Sequence, residues 1–516
     1  MKRSTIWATV AVAITLFSFR SRADDSLVRT RPVHHLVPHG DPPPVLSAAD
    51  VDAVIQHAAA SVNSEALVIA VTDRQGDILA VYRKPGAPAT TTANFGMQAD
   101  ANEVAVALAR TAGFFSNSQA PLSSRTVRFI SGIHFPPGIQ FTGNGALYGI
   151  ENTNRGCGFN TTFLPGQSFP AARSIDGSEP GLGVLTGKAD LNDSDPTAVN
   201  PGGVPLFKQG VLAGGVGVAG VDPDVAEFAA VSGSAGAGLF VPLPLPFPGE
   251  VVIDGIALPF VNQTSMPAGY GPGSADGIYV LGPLDSPGPA PEGDLIATQP
   301  GPLGGLTADQ VQQIINNAVA EANLTRALIR LPAGSRARFA IAVADLDGRL
   351  IGLHRMPDAT VFSIDVAVAK ARNVIFFSGP NRTAGDLAGV PMGTAVTNRT
   401  IGFGAQPFYP PGVDYSTPGP FFGLYQFDTQ NPCTQGSQAP NPNQNGIVFF
   451  PGALPLYQNG VLVGGLGISG DGVDQDDFVT AAAAAGFEAP ASMRADQVLD
   501  QGVRLPYLKF PRNPTD

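Results

Sequence analysis

Pro205-Leu206-Phe207-Lys208-Gln209-Gly210-Val211-Leu212-Ala213-Gly214-Gly215-Val216-Gly217 pairs without a gap with Pro455-Leu456-Tyr457-Gln458-Asn459-Gly460-Val461-Leu462-Val463-Gly464-Gly465-Leu466-Gly467. Each run places a Gln-Gly or Asn-Gly turn between two β-prone stretches, which predicts a hairpin whose second strand is rich in glycine. The correspondence extends outward. Ala109-Arg110 answers Ala371-Arg372, Val71-Thr72-Asp73-Arg74-Gln75-Gly76 answers Val343-Ala344-Asp345-Leu346-Asp347-Gly348, and residues 46–51 answer residues 306–311. The Arg-Thr pairs 125/126 and 399/400 lead into Pro136-Pro137-Gly138 and Pro410-Pro411-Gly412. A duplication of this length predicts two copies of one domain fold, so any site in one copy has a counterpart position in the other.

Within each copy the elements follow one order. Ser47 with Asp50, and Thr307 with Gln310, stand at capping-box spacing ahead of a helix. Val51, Val54, Ile55, Ala58, Ala59 and Val62 then recur at helical period, as do Val311, Ile314, Ile315, Ala318, Val319 and Ala322. A hairpin follows around each Asp-x-x-Gly turn, and then a second helix over about 99–115 and 363–377. Next comes a long, loop-rich stretch that differs between copies, residues 116–203 and 378–452; loops of such length are usually functional or interaction surfaces. The glycine-rich hairpin, a last helix beginning near Asp224 or Asp474, and a final strand complete the unit. This order predicts the α+β class, two tandem sandwiches in which an antiparallel sheet is covered by helices. The expected division is a leader over 1–23, an extended arm over 24–45, a first domain over 46–264, a Pro/Gly-rich linker over 265–305 and a second domain over 306–516.

With 516 residues the chain is long enough for two domains with substantial cores. Met1-Lys2-Arg3, the apolar run 6–19 and Ser21-Arg22-Ala23 have the three parts of a secretory signal peptide, which predicts a secreted or periplasmic product. That run is too short to span a bilayer comfortably, and no membrane span is expected elsewhere. The net charge of −12 repels phosphate backbones, so a nucleic-acid partner is disfavoured. Cys157 and Cys433 fall one in each copy. In an oxidising compartment they could bridge the repeats, or stand as two independent thiols.

The opening helix, the Asp-x-x-Gly turn, the strand-end arginines Arg83 and Arg355, Lys370-Ala371-Arg372 and the Gly-Gly-Val/Leu-Gly strand before an acidic helix start together resemble the GlcG/HbpS family of haem-binding, sometimes called haem-degrading, domains. The resemblance spans both repeats and omits the mid-repeat insertions and the linker. It implies a profilin-like fold and haem or a related tetrapyrrole as ligand. Family members are typically small oligomers, so the fused pair looks like a covalent pseudo-dimer, and a homo-oligomer of the whole chain stays open. Departures fall mostly in the first copy, where Leu108 stands for Lys370 and Ala219 for Ser469. The family's usual Asp-Gly-Ala is Pro85-Gly86-Ala87 in one copy and Pro357-Asp358-Ala359 in the other.

Haem requires an apolar slot, an axial donor and cations for its propionates. Tyr82-Arg83 and His354-Arg355 each set a donor beside a cation at equivalent strand ends, but neighbours on a strand point to opposite faces. Arg83 and Arg355 are therefore read as propionate partners or fold buttresses, and His354 as a ligand or an interface histidine. His134 and Tyr409, one in each copy ahead of Pro-Pro-Gly, are the sharper candidates for axial ligation. Asp224 with Glu227 stands one helical turn apart, as does Asp474 with Asp477; the spacing could hold iron, or complement the helix dipole. No catalytic constellation is found: there is no Gly-x-Ser-x-Gly and no His-Glu-x-x-His. The leading expectation is a tandem-domain protein that binds a tetrapyrrole. A haem- or metal-dependent oxidative enzyme, and an envelope module that binds another exported protein without a cofactor, remain as alternatives.

Overall fold

The computed structural model describes residues 43–132, 145–158, 173–177, 180–187, 199–241, 249–253, 255–413 and 415–515. The predicted leader, most of the predicted arm, and His134 lie outside them.

The first copy runs α1 (Ala48–Ala60), β1 (Val68–Asp73), β2 (Ile78–Arg83), a small ribbon of β3 (Thr90–Thr92) and β4 (Gln98–Asp100), α2 (Ala101–Phe115), α3 (Ser124–Ser131), β5 (Gly203–Lys208), β6 (Val211–Ala219), α4 (Pro223–Gly236), and the hairpin β7 (Gly249–Ile253) and β8 (Ile256–Val261). Residues 265–305 then supply β9 (Ile278–Leu281) and β10 (Gly293–Ile296). The second copy repeats the series as α5 (Ala308–Ala322), β11 (Phe339–Ala344), β12 (Leu350–Arg355), α6 (Phe362–Ser378), α7 (Asn398–Gly404), α8 (Phe422–Gln430), β13 (Ala453–Gln458), β14 (Val461–Gly470), α9 (Val473–Ala483), β15 (Leu499–Asp500) and β16 (Val503–Arg504).

Two five-stranded antiparallel sheets result, ordered β5-β6-β1-β2-β9 and β13-β14-β11-β12-β10. The two are superimposable in register. Val71 opposes Val216 as Val343 opposes Leu466, and both inner hairpins carry a bulge at the same place, Val71/Thr72 and Val343/Ala344. The stretch expected as a linker does more than connect. It pairs β9 with β2 and β10 with β12, which covers an edge that each sheet would otherwise expose.

The glycine-rich strands have a steric cause. A Cβ on Gly215 or Gly217 would lie 2.1 or 2.0 Å from the carbonyl oxygen of Ala109 or Ala105 on α2; on Gly465 or Gly467 it would lie 2.2 or 2.1 Å from that of Ala371 or Ala367 on α6. The second helix thus rests backbone to backbone on β6 or β14, while α1 with α4, or α5 with α9, covers the other face. The arginine of each Ala-Arg motif locks this arrangement. Buried Arg110 donates to the Gly76 carbonyl at 3.0 Å, and Arg372 to that of Gly348 at 2.9 Å, so each clasps its own Asp-x-x-Gly turn.

The copies also pack on each other. Phe115 stacks on Phe362 with centroids 4.2 Å apart, inside a cluster of buried residues drawn from both copies. Asn154 donates from its backbone to Asp365 at 2.7 Å. Asp358 takes Arg74 of the first copy and Arg330 of the second, each at 2.7 Å, and these guanidiniums hold its carboxyl well below the usual carboxylate range despite burial. A disulfide joins Cys157 to Cys433, with Cα atoms 5.2 Å apart across 276 positions of sequence.

Candidate functional site

Among the sequence-singled residues, the arginines at the strand ends face the protein. Arg355 is wholly buried and donates to the carbonyls of Ala359, Ala290 and Pro291; Arg83 donates to Asn102 and to the carbonyls of Ala87 and Pro88. In both copies the side chain ties the strand end to the loop that follows it. His354 lies opposite Asp294 of β10, and its Nδ1 stands 2.7 Å from that carboxylate. Tyr409 is buried, its ring edge-on to Phe403 at 5.6 Å, and burial pushes its phenol up to about 12.

The acidic pairs hold guanidiniums. Glu227 is buried and takes Arg125 at 2.8 Å, and it also accepts the backbone N–H groups of Asn262 and Gln263, while Asp224 is exposed. In the second copy Arg399 on α7 reaches Asp477 at 2.5 Å and Asp474 at 2.6 Å. Among the described residues no group of three or more His, Cys, Asp or Glu could hold a metal ion. Both halves of this pairing were visible in sequence, the Arg-Thr pairs and the acidic helix starts. Their recurrence at matched places in two copies is the signal that could have joined them.

Arg399 and Asp474 of the second copy's set line a cleft of about 770 Å³, a size typical of small-molecule sites. Six segments converge on it. The loop before the 3₁₀ turn Ile150–Asn152 brings Gly145, Ala146 and Tyr148 from the first copy. The second copy brings Arg399 and Phe403 on α7, Phe449 and Phe450 ahead of β13, the first turn of α9 with Asp474, and the end of the chain with Lys509, Phe510 and Arg512. The segment after α5 adds Arg326 and Leu328.

Local structure fixes these groups. A capping box between Thr397 and Thr400 sets the start of α7, which orients Arg399; Lys509 lies 2.8 Å from Asp474, the same carboxylate that Arg399 holds. Tyr148 stacks on Tyr425, which meets Phe449 edge-on, with centroid spacings of 5.2 and 5.3 Å. The Tyr148 hydroxyl is buried without a hydrogen-bond partner, and burial pushes its pKa well above the ordinary value. The lining carries four cations, Arg326, Arg399, Lys509 and Arg512, against the single carboxylate of Asp474. Asp474, together with the buried Asp477 beside Arg399, offsets part of that charge, so the aromatic cleft keeps a modest positive excess in a chain of net charge −12. Sequence reasoning missed Tyr148, Phe449, Phe450, Lys509, Phe510 and Arg512, which belong to mid-repeat insertions or the chain end and follow no period.

The family described as haem degrading protein, HbpS-like, matches residues 306–485, which include most of the second copy's share of this lining. Similar solved structures include PduOC in complex with haem, 21% identical over 35% of this chain and 94% of that one, with a TM-score of 0.23. Klebsiella pneumoniae protein ORFY, of the DUF336 family, is 20% identical over 35% of this chain and 88% of its own, with a TM-score of 0.23. A double mutant of Streptomyces reticuli HbpS is 20% identical over 39% and 97%, with a TM-score of 0.20. None of the curated proteins compared matches the chain. The resemblance to this haem-associated family is distant and covers part of the chain.

Proposed function

We propose that this chain is an exported ligand-binding protein whose ligand is a flat tetrapyrrole bearing carboxylates, haem foremost, seated in the 770 Å³ cleft. One observation carries the reading: an acidic chain places four cations around aromatic walls, the chemistry that suits an apolar ring with anionic substituents. The haem-linked family matched over residues 306–485 supports it.

The residues present suit such a molecule at its periphery. Phe403, Phe449, Phe450 and Phe510 offer apolar surface to the ring, and Arg512 and Lys509 are both exposed, a ligand carboxylate competing with Asp474 for the latter. The described lining residue of a type that ligates haem iron is Tyr148. Its raised pKa opposes loss of the phenolic proton, so Tyr148 would serve better as a hydrogen-bond donor to the ligand. Bound haem would supply iron-centred redox chemistry, and the chain's own part would be to bind, orient and shield it.

The test is an absorbance titration of the purified mature chain with haem and with iron-free protoporphyrin. Both are expected to bind with a shifted Soret band, and the double variant Lys509→Glu/Arg512→Glu is expected to weaken both by about tenfold, more at low salt. Absence of a Soret shift, or affinities indifferent to the double variant, would overturn the proposal.

A further inference from the structure

The first copy contains a second cavity, of about 260 Å³, at a place the second copy fills. Its cause can be traced position by position. Gly202 and Gly452 are equivalent backbones, with φ of 111° and 112°. A Cβ on Gly452 would meet the Asp476 Cβ at 2.6 Å and the Lys370 Nζ at 2.7 Å; on Gly202 it would meet the Ala226 Cβ at 3.1 Å. Likewise Gly217 faces the Cβ of Leu108, and Gly467 that of Lys370, both at 3.0 Å. In the second copy Lys370 therefore pairs with Asp476 at 2.8 Å beneath the Phe450 ring, 4.8 Å from its centroid. In the first copy these three side chains are Leu108, Ala226 and Asn200. The Ser363–Ser469 hydrogen bond of 3.3 Å has Ala101 and Ala219 in its place.

The outcome is a pocket lined by Leu108, Val218 and Ala226 together with polar groups, with exposed Thr92 and Asp222 at its edge. Asn200 lines it, is 6% exposed, and its Nδ2 has no hydrogen-bond partner. A buried amide donor left unpaired destabilises the fold, a cost that a bound acceptor would remove. We infer that the first copy binds a small, neutral molecule of mixed polarity through one hydrogen-bond acceptor, such as a carbonyl oxygen, placed on Asn200 Nδ2. The second copy cannot do so, because its Lys370–Asp476 pair and Phe450 occupy the equivalent space.

Saturation-transfer NMR on the full chain, with cyclohexanone and cyclohexane as probes, tests this. Cyclohexanone is expected to bind at least tenfold more tightly than cyclohexane, and to stay bound in the presence of saturating haem. Asn200→Leu, which keeps the backbone carbonyl that accepts from Ser124, should abolish the preference; Ala226→Leu should fill the pocket and remove both signals. No transfer to either probe would mean that the pocket holds only water and would overturn the inference, as would a preference unchanged in Asn200→Leu. Thermal melts identify any variant that fails to fold, and the remaining one then decides.

Discussion

Glu151 is the clearest single residue whose charge the fold opposes. Its carboxyl is buried beside Tyr148 and Tyr425, one oxygen has no hydrogen-bond partner, and burial raises its pKa from an ordinary 4.5 to about 7, with Arg128 only partly offsetting this. Because the folded state holds the proton more tightly than the unfolded one, this contribution to stability is complete below about pH 4.5 and is lost as pH rises to about 7. The loss over that window is about 3 kcal/mol. Glu151→Gln should flatten the slope and stabilise the protein at pH 8 by about 2 kcal/mol, as read from urea midpoints at pH 5 and pH 8; a slope unchanged by the substitution would refute the assignment. Asp358 is the opposite case. Two guanidiniums depress its pKa, so its contribution is present above the ordinary carboxylate range and is lost as pH falls through its depressed value.

At the scale of elements, the contact between the second helix and the glycine strand decides stability. A methyl group on Gly467 would sit 2.1 Å from a backbone oxygen that helix packing holds in place, and no rotamer relieves it. Gly467→Ala should therefore cost about 3 kcal/mol, whereas Gly423→Ala at an exposed position of α8, where a Cβ meets nothing within 4 Å, should be neutral or slightly stabilising. Equal effects in chemical denaturation would refute this account of the motif. The same contact explains why so much of the fold was legible. Capping boxes, Asp-x-x-Gly turns and the Gly-Gly-Val/Leu-Gly strand are local rules, and the duplication states each of them twice. Strands β9 and β10 escaped because a short edge strand among prolines has no pattern distinguishable from linker, and its partners lie about 200 and 60 positions away, as Val81 with Leu281 and His354 with Asp294. The cleft escaped for a related reason: Tyr148 and Phe449 acquire meaning only when the insertions of two copies meet.

For the molecule as a whole, duplication left two similar sandwiches that no longer carry the same buried groups. The second copy keeps buried charges, Lys370 with Asp476 and Arg399 with Asp477, and forms most of the cationic cleft; the first replaces the former pair with apolar side chains and lends Tyr148 to its neighbour's site. The cleft wall from the first copy is thus only as firm as the attachment of residues 145–158 to the second. That attachment rests on Asn154 with Asp365, on the Gly158 carbonyl with Arg372 at 2.7 Å, and on the Cys157–Cys433 bond, which closes a loop of 276 positions. Closing so long a loop restricts the unfolded chain strongly, and removing the bond should cost about 2–4 kcal/mol. Cys157→Ser/Cys433→Ser should therefore lower the urea midpoint and, by loosening the Tyr148 wall, weaken the proposed haem binding, while the sheet cores of both copies retain their amide protection in hydrogen exchange. If the double variant lost stability but kept its full affinity for haem, the first copy's loop would have no part in holding the ligand.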